Sequence, residues 1–170
     1  AVFEYISIDK IKDIATSFKG VPHRIQLVRE LEGVKYYNSS IDSSPNRSIN
    51  ALSVFENKSV VMIAGGKDKN IPYDDIGAPI ADKVKVLILT GPTADKIEKA
   101  VLDEFETRNI QCDIVIIHCD NYKDAVQNAY KNAESGDNVL LSPASTSFDM
   151  FKNFEDRGNC FVNYVNSLPY

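Results

Sequence analysis

Four short runs constrain this chain more than any other feature: SVVMIAGG, KVLILTG, DIVIIHC and NVLLSPA. Each is continuously apolar, rich in Val, Ile or Leu, and too short to be a helix. A strand that is apolar at every position must be covered on both faces, which is the situation of a parallel strand between helices. Segments with helical spacing separate the runs, near Tyr73–Asp82, Thr93–Arg108 and Asn121–Glu134. A last one runs over Ser147–Leu168, with a break expected near Gly158. This alternation predicts an α/β fold: a Rossmann-like, doubly wound, mostly parallel sheet with helices on both faces.

The front of the chain adds to that sheet. Ser7 can cap a helix reaching Phe18, with Ile8, Ile11, Ile14, Ala15 and Phe18 on one stripe, Gly20 closing it and Pro22 barring continuation. The residues on either side of Gly33 alternate, which predicts a β-hairpin, Arg24–Glu32 and Val34–Ser39, forming an antiparallel edge. Pro45 then suits the first turn of a helix over NRSINALSVFE.

At 170 residues and 44% hydrophobic, the chain can bury one core without staples. The net charge of -5 and the lack of any basic tract argue against nucleic acid or an acidic membrane surface as partner. No apolar run reaches transmembrane length. Cys112, Cys119 and Cys160 lack CxxC spacing and read as reduced thiols of a cytoplasmic protein. With His23 and His118 the only histidines, no metal site is expected. The chain opens on Ala1 rather than Met, and reads as a piece of something longer.

In doubly wound sheets, ligands bind beyond the carboxyl ends of the strands. Three segments leave strands there. In AGGKDKN, paired glycines allow close backbone approach to a ligand, and Lys67 and Lys69 follow. In LTGPTADKI, Gly91-Pro92 turns the chain and Thr93 caps a helix. In LSPASTSFDMF, the hydroxyls of Ser142, Ser145, Thr146 and Ser147 crowd the start of the expected last helix, where free N–H groups favour an anion. A fourth stretch, YYNSSIDSSPNRSINAL, places small polar residues and Arg47 at another helix start, while His23 and Arg24 follow Pro22. No P-loop and no G-x-S-x-G elbow is present. The residues therefore describe an anion-binding domain rather than a self-contained catalyst.

Taken in order, FKGVPHRIQLV, YYNSSIDSSPNRSINAL, VVMIAGGKDKN and VLLSPASTSFDMFKNFEDRGNCF resemble the C-terminal domain of the Mur ligases. The most similar branch joins D-glutamate to UDP-N-acetylmuramoyl-L-alanine in peptidoglycan precursor synthesis. The resemblance implies that residues 1–20 are the tail of a central ATP-binding domain or a linker helix, and 21–170 the amino-acid-binding domain. It implies D-glutamate contacts at Lys69, Ser147, Phe154 and Ser43, the last standing where the family carries Thr. Arg24, Ser39, Asp42 and Arg47 would lie near the nucleotide. Here the chain departs from the family: Ser39 replaces an Asp expected at the ribose and Ile41 a Lys, and Asp42 and Arg47 stand close enough to take over those charges. ATP and Mg²⁺ would be held mainly by the absent central domain. The full-length protein would be an acid–D-amino-acid ligase, and this portion alone would be inactive for want of a P-loop. Two other readings fit the same residues: a free-standing anion- or nucleotide-binding module, and the domain of a folylpolyglutamate synthase.

Overall fold

In the computed structural model, which describes residues 7–17 and 20–169, six strands form one sheet in the order β1-β2-β6-β3-β4-β5. The strands are β1 (Gln26–Leu31), β2 (Val34–Asn38), β3 (Val60–Gly65), β4 (Val84–Thr90), β5 (Val115–Cys119) and β6 (Asn138–Leu141). Only the β1–β2 pair is antiparallel. The helices are α1 (Ile8–Ser17), α2 (Pro45–Leu52), α3 (Gly77–Lys83), α4 (Ala94–Thr107), α5 (Tyr122–Asn132) and α6 (Phe154–Asn166), with a 3₁₀ turn at Asp74–Ile76.

The apolar runs behave as their composition dictates. Every residue of β3 is buried, because side chains of both parities meet a helical layer. One layer, from α2, α3 and α4, packs Leu52, Ile80, Ile97 and Val101 against Met62, Leu87 and Leu89. The other, from α5 and α6, packs Val126, Ala129, Phe161 and Val165 against Ile63, Ile88 and Leu141. Fully burying a Leu or Ile side chain contributes about 1.5–3 kcal/mol, so the central strands anchor the fold. β5 departs from the expected two-sided burial: it is an edge strand, and Val115 is 51% exposed.

The front hairpin is tighter than its sequence pattern. β1 starts at Gln26, because His23 and Ile25 both take positive φ. Glu32 and Gly33 form its turn with φ of 53° and 81°, as a two-residue I′ turn requires. None of the α1 side chains is buried, and the expected helix end at Phe18 lies outside the described residues.

The largest correction concerns the last helix. It begins at Phe154 rather than Ser147, Asn153 caps it by accepting from the Asp156 N–H, and it runs through Gly158 unbroken. Residues 142–153 are instead an irregular connection whose polar groups are fixed by tertiary partners. Thr146 pairs with Lys67 in an isolated antiparallel bridge, tying the β6 exit to the β3 exit.

Candidate functional site

Because β2, β3, β4, β5 and β6 run parallel, their carboxyl ends share one edge of the sheet. The chain leaves β3 toward β4 and returns from β5 to β6, so β3 and β6 flank the point where the winding reverses. Ligand crevices form at such points. Two cavities lie among the loops of this edge.

The first is about 200 Å³ and is lined by Ser43, Lys69, Thr146, Ser147, Phe148, Asn153, Phe154 and Glu155. It unites three loops that are distant in sequence. All four residues expected at an amino-acid site, Ser43, Lys69, Ser147 and Phe154, are on its wall. No ion pair or hydrogen bond engages the exposed Lys69 ammonium among the described residues, although Lys58, Lys85, Lys96 and Lys99 all pair with carboxylates.

The hydroxyl run has divided roles. Ser142 donates to Asp42 Oδ2 at 2.8 Å and meets the Ser48 hydroxyl at 2.8 Å. Ser145 shares hydrogen bonds with Tyr73 and Thr93 at 2.8 and 2.7 Å. Thr146 donates to the Lys67 carbonyl at 3.0 Å. Ser147 alone keeps its hydroxyl without a protein partner among the described residues, and it faces the cavity. The free N–H groups of a helix start are also present, but at Phe154 and Glu155, the first two positions of α6.

The paired glycines serve packing rather than ligand approach. A Cβ on Gly65 would stand 1.9 Å from the Thr90 carbonyl oxygen, and one on Gly66 2.3 Å from that of Thr146. Their positive φ values, 105° and 149°, are open to glycine at little cost. The expected close approach is real, but its object is the neighbouring loop. Thr93 likewise does not cap α4 with its hydroxyl; that oxygen donates to Gly66 O and accepts from Gly66 N–H, both at 3.1 Å.

The second cavity, about 270 Å³, is lined by Arg24, Ile25, Ser39, Ile41, Asp42, Arg47, Asn50 and Ala51. It brings together all four residues expected near a nucleotide. Asp42 is 5% exposed. Burial pushes its carboxyl pKa up, opposed by hydrogen bonds from Ser39 and Ser142 and by the charges of Arg47 and Arg24. Arg47 reaches the Ile41 carbonyl at 3.1 Å, and neither arginine lies within ion-pair distance of a carboxylate among the described residues. Two exposed guanidiniums beside one buried carboxylate suit a group with phosphates and hydroxyls, so the residues present fit a nucleotide.

Sequence reasoning missed the residue that holds the edge together. Arg157 is 1% exposed and donates from Nε to Ser40 Oγ at 3.0 Å, from Nη2 to Ser40 O at 2.8 Å and from Nη1 to Ser145 O at 2.9 Å. It thereby joins the β2 exit, the β6 exit and α6. Burial pulls its pKa down, offset in part by Tyr122 and Asp149. A signal was available: Arg157, Phe161 and Val165 are four apart on one face of α6, so the arginine sits on an apolar stripe. His23 also has a packing role, with Nδ1 3.0 Å from Asn38 Nδ2 and its ring edge-on to Phe154.

Fold and site together define a doubly wound α/β domain with two ligand-sized cavities at the carboxyl edge of its sheet. Residues 23–145 match the family described as the Mur ligase, glutamate ligase domain, and the chain belongs to the Mur ligase family as its C-terminal domain. It is 58% identical to a UDP-N-acetylmuramoylalanine–D-glutamate ligase of Ruminiclostridium cellulolyticum, over 99% of this chain and 36% of the relative. It is 55% identical to the enzyme of the same name from Acetivibrio thermocellus, again over 99% and 36%. The chain thus spans about a third of the length of these relatives. Among solved structures, a Mycobacterium tuberculosis folylpolyglutamate synthase complexed with ADP and AMPPCP shares the fold, with a TM-score of 0.57 and 14% identity over 92% of this chain and 36% of that one. Among the described residues, no helix is long and apolar enough to cross a membrane.

Proposed function

We propose that this domain holds D-glutamate for an ATP-dependent ligase that joins it to UDP-N-acetylmuramoyl-L-alanine. The observation that carries the reading is the convergence of Ser43, Lys69, Ser147 and Phe154 on one small cavity. Its volume of about 200 Å³ falls below the range of roughly 300–1,000 Å³ usual for larger ligands, and fits a single amino acid. A dicarboxylate needs two anion positions. Lys69 supplies an exposed, unengaged positive charge for one, and the Ser147 hydroxyl with the α6 N–H groups supplies the other. Glu155 offers an acceptor to the substrate's nitrogen.

The second cavity receives part of the nucleotide. Arg24 and Arg47 face its phosphates, and Asp42 accepts from its hydroxyls in place of the family's Asp at position 39. ATP, with Mg²⁺ bound by the preceding domain, supplies the activation of the acceptor carboxylate when present. The residues of this chain bind and orient the amine that attacks it, and they keep the two ligands at fixed positions. In this reading residues 1–20 belong to the linker from the central domain, the work is cytoplasmic, and the chain alone has no ligase activity.

Titration of the chain with D-glutamate, followed by backbone amide NMR shifts, tests the reading. Saturable shifts confined to Ser43, Lys69, Ser147 and Phe154 and their neighbours are expected, with weaker response to L-glutamate. Equal response to both enantiomers would favour the folylpolyglutamate synthase alternative. Response to ATP with none to either enantiomer of glutamate would favour a nucleotide-binding module.

A further inference from the structure

A third group of side chains stands apart from both cavities. Asp95 and Glu98 lie three residues apart in the first turns of α4, so both carboxylates leave the same side of the helix. His118 projects from the neighbouring edge strand β5. One ligand atom from each of the three lies within 4.8 Å of the other two, and His118 Nε2 is 2.7 Å from Glu98 Oε2. The imidazole side chain is 47% exposed and that of Glu98 31%, so solvent reaches them.

The lysines interleaved with these carboxylates do not neutralise them. Lys96 pairs with Asp68 at 2.5 Å, and Lys99 pairs with Asp103. No lysine or arginine is within ion-pair distance of Asp95 or Glu98 among the described residues. Two carboxylates are thus held beside an imidazole with no lysine or arginine to neutralise them, on a helix and a strand rather than on loops.

We propose that Asp95, Glu98 and His118 form a binding site for a divalent transition metal, with Zn²⁺ as the prototype. Zinc takes imidazole nitrogen and carboxylate oxygen at about 2.0–2.2 Å, which places tetrahedral ligand atoms roughly 3.3–3.5 Å apart. The observed 2.7 Å pair must open slightly and Asp95 must swing inward, both within reach of side-chain rotation. Water completes the fourth position. Imidazole in the set favours zinc, nickel or copper over magnesium or calcium. The metal clips β5, an edge strand paired only to β4, onto α4. Its role is to brace this edge of the sheet, and none of its three residues lines the two cavities at the carboxyl edge.

Isothermal titration of the chelator-treated chain with ZnCl₂ tests this. One saturable equivalent is expected, with Mg²⁺ binding far more weakly. Because even an outer-shell change weakens a metal site about 10–100-fold, His118→Ala and Glu98→Gln should each lower affinity at least tenfold. Zinc should raise the Tm of the parent chain and not of His118→Ala. A variant with Cys112, Cys119 and Cys160 all changed to Ser should bind as the parent does. Absence of saturable binding, affinity unchanged in His118→Ala, or loss of binding in the serine variant would each overturn the proposal. The substituted ligands are exposed or half-exposed, so folding should survive, and the D-glutamate titration serves as the control.

Discussion

Arg157 donates to both the hydroxyl and the carbonyl of Ser40, at 3.0 and 2.8 Å, across 117 residues of chain. With the third bond to Ser145 O, one buried guanidinium fixes the two loops between which the cavity lined by Ser43, Lys69 and Ser147 opens. Its planar fork is what allows one side chain to serve three acceptors. Leaving a buried acceptor unpaired costs about 1–3 kcal/mol, so Arg157→Met should destabilise the chain by at least about 3 kcal/mol in urea denaturation. Arg157→Lys should recover only part of that. A loss below about 1 kcal/mol would mean that water replaces the guanidinium.

Lys69 and Ser147 line one cavity and differ in the kind of bond each can offer a ligand there. A charged hydrogen bond contributes about 1.5–3 kcal/mol and a neutral one about 0.5–1.5. In the full-length protein, Lys69→Ala should raise the D-glutamate KM by at least about tenfold, with a much smaller effect on the ATP KM. Ser147→Ala should be milder. Equal effects of Lys69→Ala on both substrates would remove the lysine from the amino-acid site.

Gly66→Ala brings a methyl group against the Thr146 carbonyl, 2.3 Å from its ideal position, at a φ of 149°. Both contact and dihedral are unfavourable, and overpacking of this kind costs roughly 1–3 kcal/mol. The Lys67–Thr146 bridge should loosen, and D-glutamate binding should weaken with it, because Lys69 and Ser147 flank that bridge. Amide exchange at Lys67, whose N–H bonds Thr146 O at 2.9 Å, reports the loosening directly.

Asp42 gives a pH signature with a definite sign. Its folded pKa lies above the ordinary carboxyl value of 3.8, so the folded state binds the proton more tightly than the unfolded state. That contribution to stability is complete below the unfolded pKa and is lost as pH rises through the folded one. Asp42→Asn should therefore raise the urea midpoint at neutral pH, and the difference should vanish on acidification toward the unfolded value. The same variant should bind nucleotide less well, separating the stabilising and binding consequences of one carboxylate.

The sheet was legible because its strands are apolar at every position, a pattern that only two covered faces accommodate. β3 shows this most clearly. That Ser43, Lys69, Ser147 and Phe154 would share one cavity was legible only through resemblance, since no local pattern links Ser43 to Phe154. The start of the last helix was misplaced because Ser147 resembles a cap by type, whereas Asn153 has the extended backbone and the bond to Asp156 that define one. Loop residues 142–153 take their shape from Arg157, Lys67 and Thr93, which are remote or unremarkable in a linear reading. The glycine pair was recognised as a close approach, but its partners, the carbonyls of Thr90 and Thr146, carry no sequence signal.

Asp42 and Ser43 are joined by one peptide bond, yet they line different cavities. The connection from β2 to α2 is therefore a party wall, with a tenant on each side. Under the proposed function, a backbone shift that re-aims Ser43 toward the amino acid also moves the Asp42 carboxylate in the nucleotide cavity. In that reading affinity for the two ligands is not separately adjustable from within these residues, and variation that tunes one alone enters through the independent walls, Lys69 and Ser147 on one side and Arg24 and Arg47 on the other.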